Sequence, residues 1–351
     1  MMLRKTFLDT LVRLSPGLST NEMIPVLSHF WFTGSEIIAF NDQIALSTAW
    51  PSEFKGTIPG TVLLGLMKAS KAKEVELVSQ GTDSLLIKAA SSRFKLPTLG
   101  PENFANIFKM PQLSAKAWLP VKPDLFLEAI SNCMRSISSD MAIPDQLGIT
   151  IIPEGNTLLL FATNNRTMSH AVIPLTGPTT MTQRAILSAP FCAQMLALAS
   201  TSKKLHLEIH KDYSILEADG TVLFGRLIES EQPLDFVNRL AYHMREVKNK
   251  MVPIPSKLEL VLTRACIITD SKIDQTATLV TVADGRMRFV SKSEQRGEVS
   301  DTILVDNHPD CSIKLEPRLL LNGFGSFDQM LLTKDCAVMA KGKNIYLVAA
   351  A

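Results

Sequence analysis

The chain of 351 residues is too long for one small core and suits two or three domains. Roughly three quarters of its unfolded surface could be buried without disulfide or metal staples. With 46% hydrophobic and 20% charged residues it reads as globular rather than disordered. Mean hydropathy is +0.15, yet no apolar run nears the ~18 residues of a membrane span, so a soluble, cytosolic protein without a membrane partner is expected. The net charge of +2, from 36 basic and 34 acidic side chains, neither announces nor excludes nucleic acid, because a basic face can be offset by an acidic one.

In chain order, Lys5–Leu14 places Leu8, Leu11 and Val12 at helical spacing. A strand is expected near Met23–Phe32. At Pro59 begins a longer plan: a small or proline-bearing opening, an apolar helix of about ten residues, an alternating strand (Val75, Leu77), a turn and a further strand, ending at Leu96. The same plan returns at Ala189, with Leu205, Leu207 and Ile209 alternating, and again at Glu316, with Met330 and Leu332. The openings at 59, 189 and 316 lie 130 and 127 residues apart. Each copy is preceded by another helix and strand: Asp124–Ile137 with Leu147–Ile152, and Lys257–Ile268 with Thr276–Val282, match the first pair. The unit of helix, strands, helix, strands therefore occurs three times. Pro-bearing, aperiodic stretches at Phe108–Pro123 and Tyr242–Pro255 set limits of 1–115, 116–250 and 251–351.

Positive charge recurs on these helices: Lys5 and Arg13, then Lys68 and Lys71, Arg135, Lys203 and Lys204, and Lys257 and Arg264. Such a face could meet phosphates without reading sequence; alternatively, these side chains merely solvate surface helices. Enzyme signatures are poor. Gly323-Phe-Gly325 lacks the third glycine of a dinucleotide loop, and Lys341-Gly342-Lys343 lacks the upstream glycine of a phosphate loop. The five scattered cysteines suit buried thiols. His206 and His210 occupy one strand face, which is expected to be solvated, since a metal would need a third ligand.

Several segments together resemble the bacterial sliding clamp, the β subunit of DNA polymerase III. They are MIPVLSHFWF (Met23–Phe32), SSRFKLPTLGPENF (Ser91–Phe104), GITIIPEGNTLLLFATNN (Gly148–Asn165), GRLIESEQPLDF (Gly225–Phe236), LTRACIITD (Leu262–Asp270) and RFVSKSEQRGEVSDTI (Arg288–Ile303). The resemblance spans the whole length and implies an α+β fold of three tandem clamp domains. Helices would line the inner face of a head-to-tail dimeric ring, with sheets outside. It implies a processivity factor that encircles duplex DNA, is opened by a loader, tethers polymerase and other replication or repair proteins through short linear motifs, and needs neither catalysis nor cofactor. Rival readings are a monomeric peptide-binding scaffold and an enzyme with an interdomain site.

By motif, the resemblance places Thr163, Met168, Pro233, Leu347 and Ala349 in an apolar pocket for partner peptides. It places Arg93, Phe94 and Leu96 at a subunit boundary with Ile267 and Ile268 of the second copy, and with Glu298 and Asp301 nearby. The chain departs from the family at Asn165-Arg166-Thr167, where the family has Gly-His-Arg, and at its closing Ala349-Ala350-Ala351. It departs also at Asn21, in place of a DNA-contacting Arg, and at Pro144-Asp145, in place of an aromatic pair. These departures imply an altered peptide preference and a divergent clamp, such as one from a phage or mobile element.

Overall fold

The computed structural model describes residues 1–20, 23–81, 83–114, 118–202, 204–230, 247, 250–269 and 277–351. Asn21, Lys203 and Pro233 are not among them, so the expectations at these three positions lie outside the described residues, as do Asp270 and the start of the strand expected from Thr276. The chain forms two compact units. Met1–Leu119, Thr179–Met181 and Pro190–Leu227 make the first; Pro120–Pro178, Thr182–Ala189 and Ile228–Ala351 make the second.

The first unit holds two antiparallel sheets. One runs β1 (Met2–Leu3), β6 (Glu74–Gln80), β7 (Ser84–Ala89) and β8 (Ser92–Pro97). The other runs β13 (Leu205–Ile209), β14 (Tyr213–Ala218), β15 (Thr221–Arg226), β4 (Ile44–Ala49), β3 (Glu36–Phe40), β2 (His29–Phe32) and β5 (Gly56–Pro59). Its two halves, far apart in sequence, join where Leu223 of β15 faces Leu46 of β4. Helix α1 (Arg4–Leu14) buries Phe7, Leu11 and Leu14 at spacings of four and three, one stripe of a helix. It lies against α2 (Gly60–Ala69), and Arg4 ties the two by donating to the Met67 and Ala72 carbonyls at 2.8 and 3.0 Å. α3 (Glu102–Ala105) delivers Phe104 to an aromatic core in which Phe40 and Phe108 stack at 4.1 Å. α5 (Ala189–Ala199) comes close to β15 because residue 225 is glycine: a Cβ there would sit 2.4 Å from the Phe191 ring.

In the second unit an eight-stranded sheet runs β12 (Ala185–Ser188), β9 (Gly148–Glu154), β10 (Thr157–Thr163), β11 (Thr167–Pro174), β23 (Asn344–Ala349), β22 (Cys336–Lys341), β21 (Gln329–Leu332) and β16 (Val252–Pro253). A four-stranded sheet runs β19 (Gly297–Leu304), β18 (Arg286–Ser293), β17 (Thr278–Ala283) and β20 (Cys311–Leu315). Asp284 and Gly285, both at positive φ, close the β17–β18 hairpin, as Asp219 and Gly220 close β14–β15; turns of this kind match the strand twist. α4 (Pro123–Met134) starts on a proline, carries Asp124 in its first turn and buries Phe126, Ala129, Ile130 and Cys133. α6 (Leu258–Thr269) buries Leu258, Val261, Leu262 and Ala265 beside α7 (Pro317–Leu321).

Three local expectations change. Met23–Ser28 is not strand, because Pro25 opens a 3-10 turn, and β2 starts at His29. α7 is five residues long, not ten. The chain turns after it, where Gly323 lies so close to Met339 and Tyr346 that a Cβ would come within 2.7 Å of the Met339 sulfur. Each plan closes with more strand than expected, β7 and β8 in the first copy.

Candidate functional site

In the eight-stranded sheet, Thr163 of β10 lies opposite Met168 of β11, Met168 opposite Leu347 of β23, Leu347 opposite Val338 of β22, and Val338 opposite Leu331 of β21. Directly opposed residues share a sheet face, so these five form one row. Ala349, two residues beyond Leu347, joins the same face opposite Cys336. Val247 and Met251 pack onto its far end, while Met168, Leu347 and Ala349 stay half-buried. The structure thus brings together four of the five residues expected in a peptide pocket; the fifth, Pro233, is not described.

The polar end of the row is built by the turn between β10 and β11. Thr163 is 8% exposed and its hydroxyl donates to the Thr167 carbonyl at 3.0 Å. Asn164 Oδ1 accepts from the Thr167 amide at 2.8 Å and hydroxyl at 3.0 Å, and Asn165 takes a left-handed conformation. This leaves Arg166 paired with Glu316, its carbonyl accepting the Ala349 amide at 2.9 Å. The loop that departs from the family pattern therefore braces the end of β23. Arg166 was noted from sequence only as a departure from the family pattern, and Glu316, Val338, Leu331 and Val247 were not placed at this site, because each enters through contact with an element far away in the chain. Chemically, this face offers apolar contact and a rim of fixed polar groups, a surface that suits side chains of a short peptide.

The expected basic positions divide into two groups. Lys5, Arg13, Lys68, Lys71, Lys204 and Lys257 are exposed. Arg135, just past α4, does not fit a phosphate-facing role. It is half-buried, its guanidinium donates to Asn132 Oδ1 at 2.6 Å and Ser326 Oγ at 2.7 Å, and burial lowers its pKa. Arg264 is exposed but donates to Asp301 Oδ1 at 3.0 Å, so it sits beside the boundary residues rather than among free cations.

The boundary residues fall on two sheet edges and on the end of α6. On β8, Arg93 is exposed and Phe94 half-buried, while Leu96 is 6% exposed and packs within the unit's own core. On β19, Glu298 pairs with Lys292 at 3.0 Å and Asp301 holds Arg264. Ile267 is 65% exposed and Ile268 half-buried. Other sheet edges are covered: β5 by Leu99, β13 by Leu119, β12 by Ile228 and β20 by Ala351, each through a backbone hydrogen bond of 2.8–3.1 Å. β1 and β16 are two residues long. Among the described residues, β8 and β19 are the long edges with no backbone partner, and such edges are templates for pairing with another chain.

Residues 1–108 match the family model of the DNA polymerase III beta subunit, N-terminal domain. The fold matches solved structures along its full length. The DNA polymerase III beta subunit of Thermotoga maritima aligns at TM-score 0.82 and 17% identity, covering 100% of this chain and 98% of that one. The DNA polymerase sliding clamp of Bacillus subtilis aligns at 0.85 and 13%, covering 100% and 98%. The DNA polymerase III subunit beta of Pseudomonas aeruginosa aligns at 0.83 and 16%, covering 100% and 99%. In sequence over its first 108 residues, and in fold over its whole length, the chain resembles the bacterial DNA polymerase III beta sliding clamps.

Proposed function

We propose that this protein is a DNA polymerase processivity clamp. Two copies join head to tail, the β8 edge of one pairing with the β19 edge of the next, and the closed ring encloses duplex DNA. The three tandem clamp domains expected at 1–115, 116–250 and 251–351 are part of this reading. Such an interface joins different patches, and it generates a ring when its rotation closes. Arg93 and Lys95 on β8 would share Glu298 and Asp301 on β19 with those carboxylates' own partners, Lys292 and Arg264, and the exposed Ile267 supplies apolar area.

Retention on DNA is then topological: a closed ring leaves the duplex only by opening, however weak its contacts. Sequence-independent phosphate contacts from exposed lysines such as Lys5, Lys68 and Lys257 suffice, and they permit sliding. The open part of the row, Met168 and Leu347 with Ala349 beside them, captures short peptide motifs of the polymerase and of the clamp loader that opens the ring. No step in this mechanism calls for a catalytic group or a cofactor.

The observation that carries the reading is that a chain with the clamp fold along its whole length leaves two long strand edges without backbone partners among its described residues. Retention after loading tests it. The protein should stay on nicked circular DNA and run off when the circle is cut, with a solution mass near twice 38.6 kDa. Equal loss from circular and linear DNA, or a monomer at micromolar concentration, would instead make it a peptide-binding scaffold.

A further inference from the structure

Glu208, in the middle of β13, takes no part in the apolar row, the cations or the open edges. Its carboxylate is 0% exposed. Residues two apart on a strand share a face, and here those neighbours are His206 and His210. His206 Nε2 lies 2.9 Å from Oε1 and His210 Nε2 lies 2.9 Å from Oε2. The Ser114 amide donates to both oxygens, at 2.8 and 3.0 Å. The face expected to be solvated is therefore a half-buried cluster on which the Ser114 backbone is seated. Trp118 stacks on His206 at 5.1 Å and the Leu119 amide donates to the Leu207 carbonyl at 2.8 Å.

Other groups around the imidazoles are few. On β14, Glu217 lies opposite His206 and is occupied by the Gly220 amide at 2.8 Å. Tyr213 stacks on His210 at 4.4 Å. Lys204 and Lys211 flank the strand and are exposed. The two imidazoles address different carboxylate oxygens, and among the described residues no set of three His, Cys, Asp or Glu side chains converges on a metal position. The arrangement is thus a hydrogen-bonded one.

A buried carboxylate is tolerated when it is paired and hydrogen-bonded. Imidazole is the side chain whose charge changes across the physiological range. When charged, the two rings supply counter-charge and charge-assisted bonds about twice as strong as neutral ones, and each gains attraction to the aromatic ring stacked on it. When neutral, they can at best donate ordinary hydrogen bonds to a carboxylate left without counter-charge. We propose that His206, Glu208 and His210 form a proton-operated fastener that holds the Ser114 backbone on the β13 edge, tight when the imidazoles are charged and looser when they are neutral, while Leu119 is held separately by its own backbone bond.

Residue-resolved hydrogen exchange on the full-length protein tests this, with an internal control. The Ser114 amide bonds to the carboxylate, whereas the Leu119 amide bonds to a backbone carbonyl. After correction for intrinsic rates, Ser114 protection relative to Leu119 should fall by about tenfold between pH 5.5 and 8. In the double variant His206→Gln/His210→Gln, whose amides donate without taking a charge, that dependence should vanish. If the double variant does not fold, His206→Gln alone should roughly halve the effect on a logarithmic scale. A Ser114 to Leu119 ratio that ignores pH in the unaltered protein, or changes equally in the variant, overturns the proposal.

Discussion

His308 is 7% exposed, and both ring nitrogens are engaged by backbone. Nδ1 donates to the Pro309 carbonyl at 2.7 Å, and Nε2 accepts the Leu332 amide at 2.9 Å. An Nε2 that accepts cannot also carry a proton, so this geometry requires a neutral ring. Burial pushes the His308 pKa down, against a smaller upward pull from the Pro309 carbonyl, and burial does the same to His29 and His170. The unfolded chain therefore binds these protons first as pH falls. Stability from these groups is fully present above about pH 6.5 and is lost below it, down through their folded values, by at most about 1.4 kcal/mol per pH unit for each ring. Urea unfolding of His308→Gln should show lower stability at pH 7, by about 1–2 kcal/mol for the disturbed Leu332 amide. It should also show a shallower decline between pH 6.5 and 5 than the unaltered protein. Parallel declines would mean that His308 binds its proton equally in both states. None of this was legible in the sequence, where His308 is one histidine in a turn with partners 1 and 24 residues away.

At the scale of elements, periodicity located what is local. α1, α4 and α6 were readable because their apolar residues recur at three and four, and β13 because Leu205, Leu207 and Ile209 alternate. Alternation fixes which face a strand residue takes, but not which strand it faces. The pairing of Thr167–His170 with Ile345–Val348, which makes the candidate site, came from family resemblance for Met168 and Leu347 and from the structure for Val338 and Leu331. Because Met168 lies between Thr163 and Leu347 in that row, a charge there would be desolvated by any bound apolar side chain. Met168→Asp should weaken capture of a labelled polymerase clamp-binding peptide by tenfold or more in fluorescence anisotropy, an unpaired charge at a buried contact costing more than about 1.4 kcal/mol. Lys343→Asp, in the exposed β22–β23 turn, should leave capture unchanged. Equal binding by both variants would remove this face from peptide recognition.

For the whole molecule, the threefold plan was legible because its spacing is nearly constant, while the two compact units were not. They form because strands of neighbouring repeats pair, β15 with β4 and β11 with β23, and the expected limit at 115 falls among undescribed residues. The proposed ring separates two properties that a simple DNA-binding surface would combine. Retention depends on closure, and hence on the β8 and β19 edges and Ile267; affinity for phosphate depends on the exposed lysines. The triple variant Lys5→Glu/Lys68→Glu/Lys257→Glu should lower non-specific affinity and flatten its dependence on salt, by about 0.9 in the log–log slope for each phosphate that is no longer neutralised. It should still sediment as a dimer and, once loaded, stay on circular DNA at low salt. Ile267→Asp alters a side chain that is already solvent-exposed, so each unit should keep its melting temperature, surface changes usually staying within about 0.5 kcal/mol. It should nonetheless sediment as a monomer and abolish the difference between circular and linear DNA while keeping the salt slope of single copies. If the lysine variant instead fails to stay on circular DNA with its dimer intact, attraction to phosphate rather than closure holds the protein there. If Ile267→Asp remains a dimer, the β8–β19 boundary is not where two copies meet.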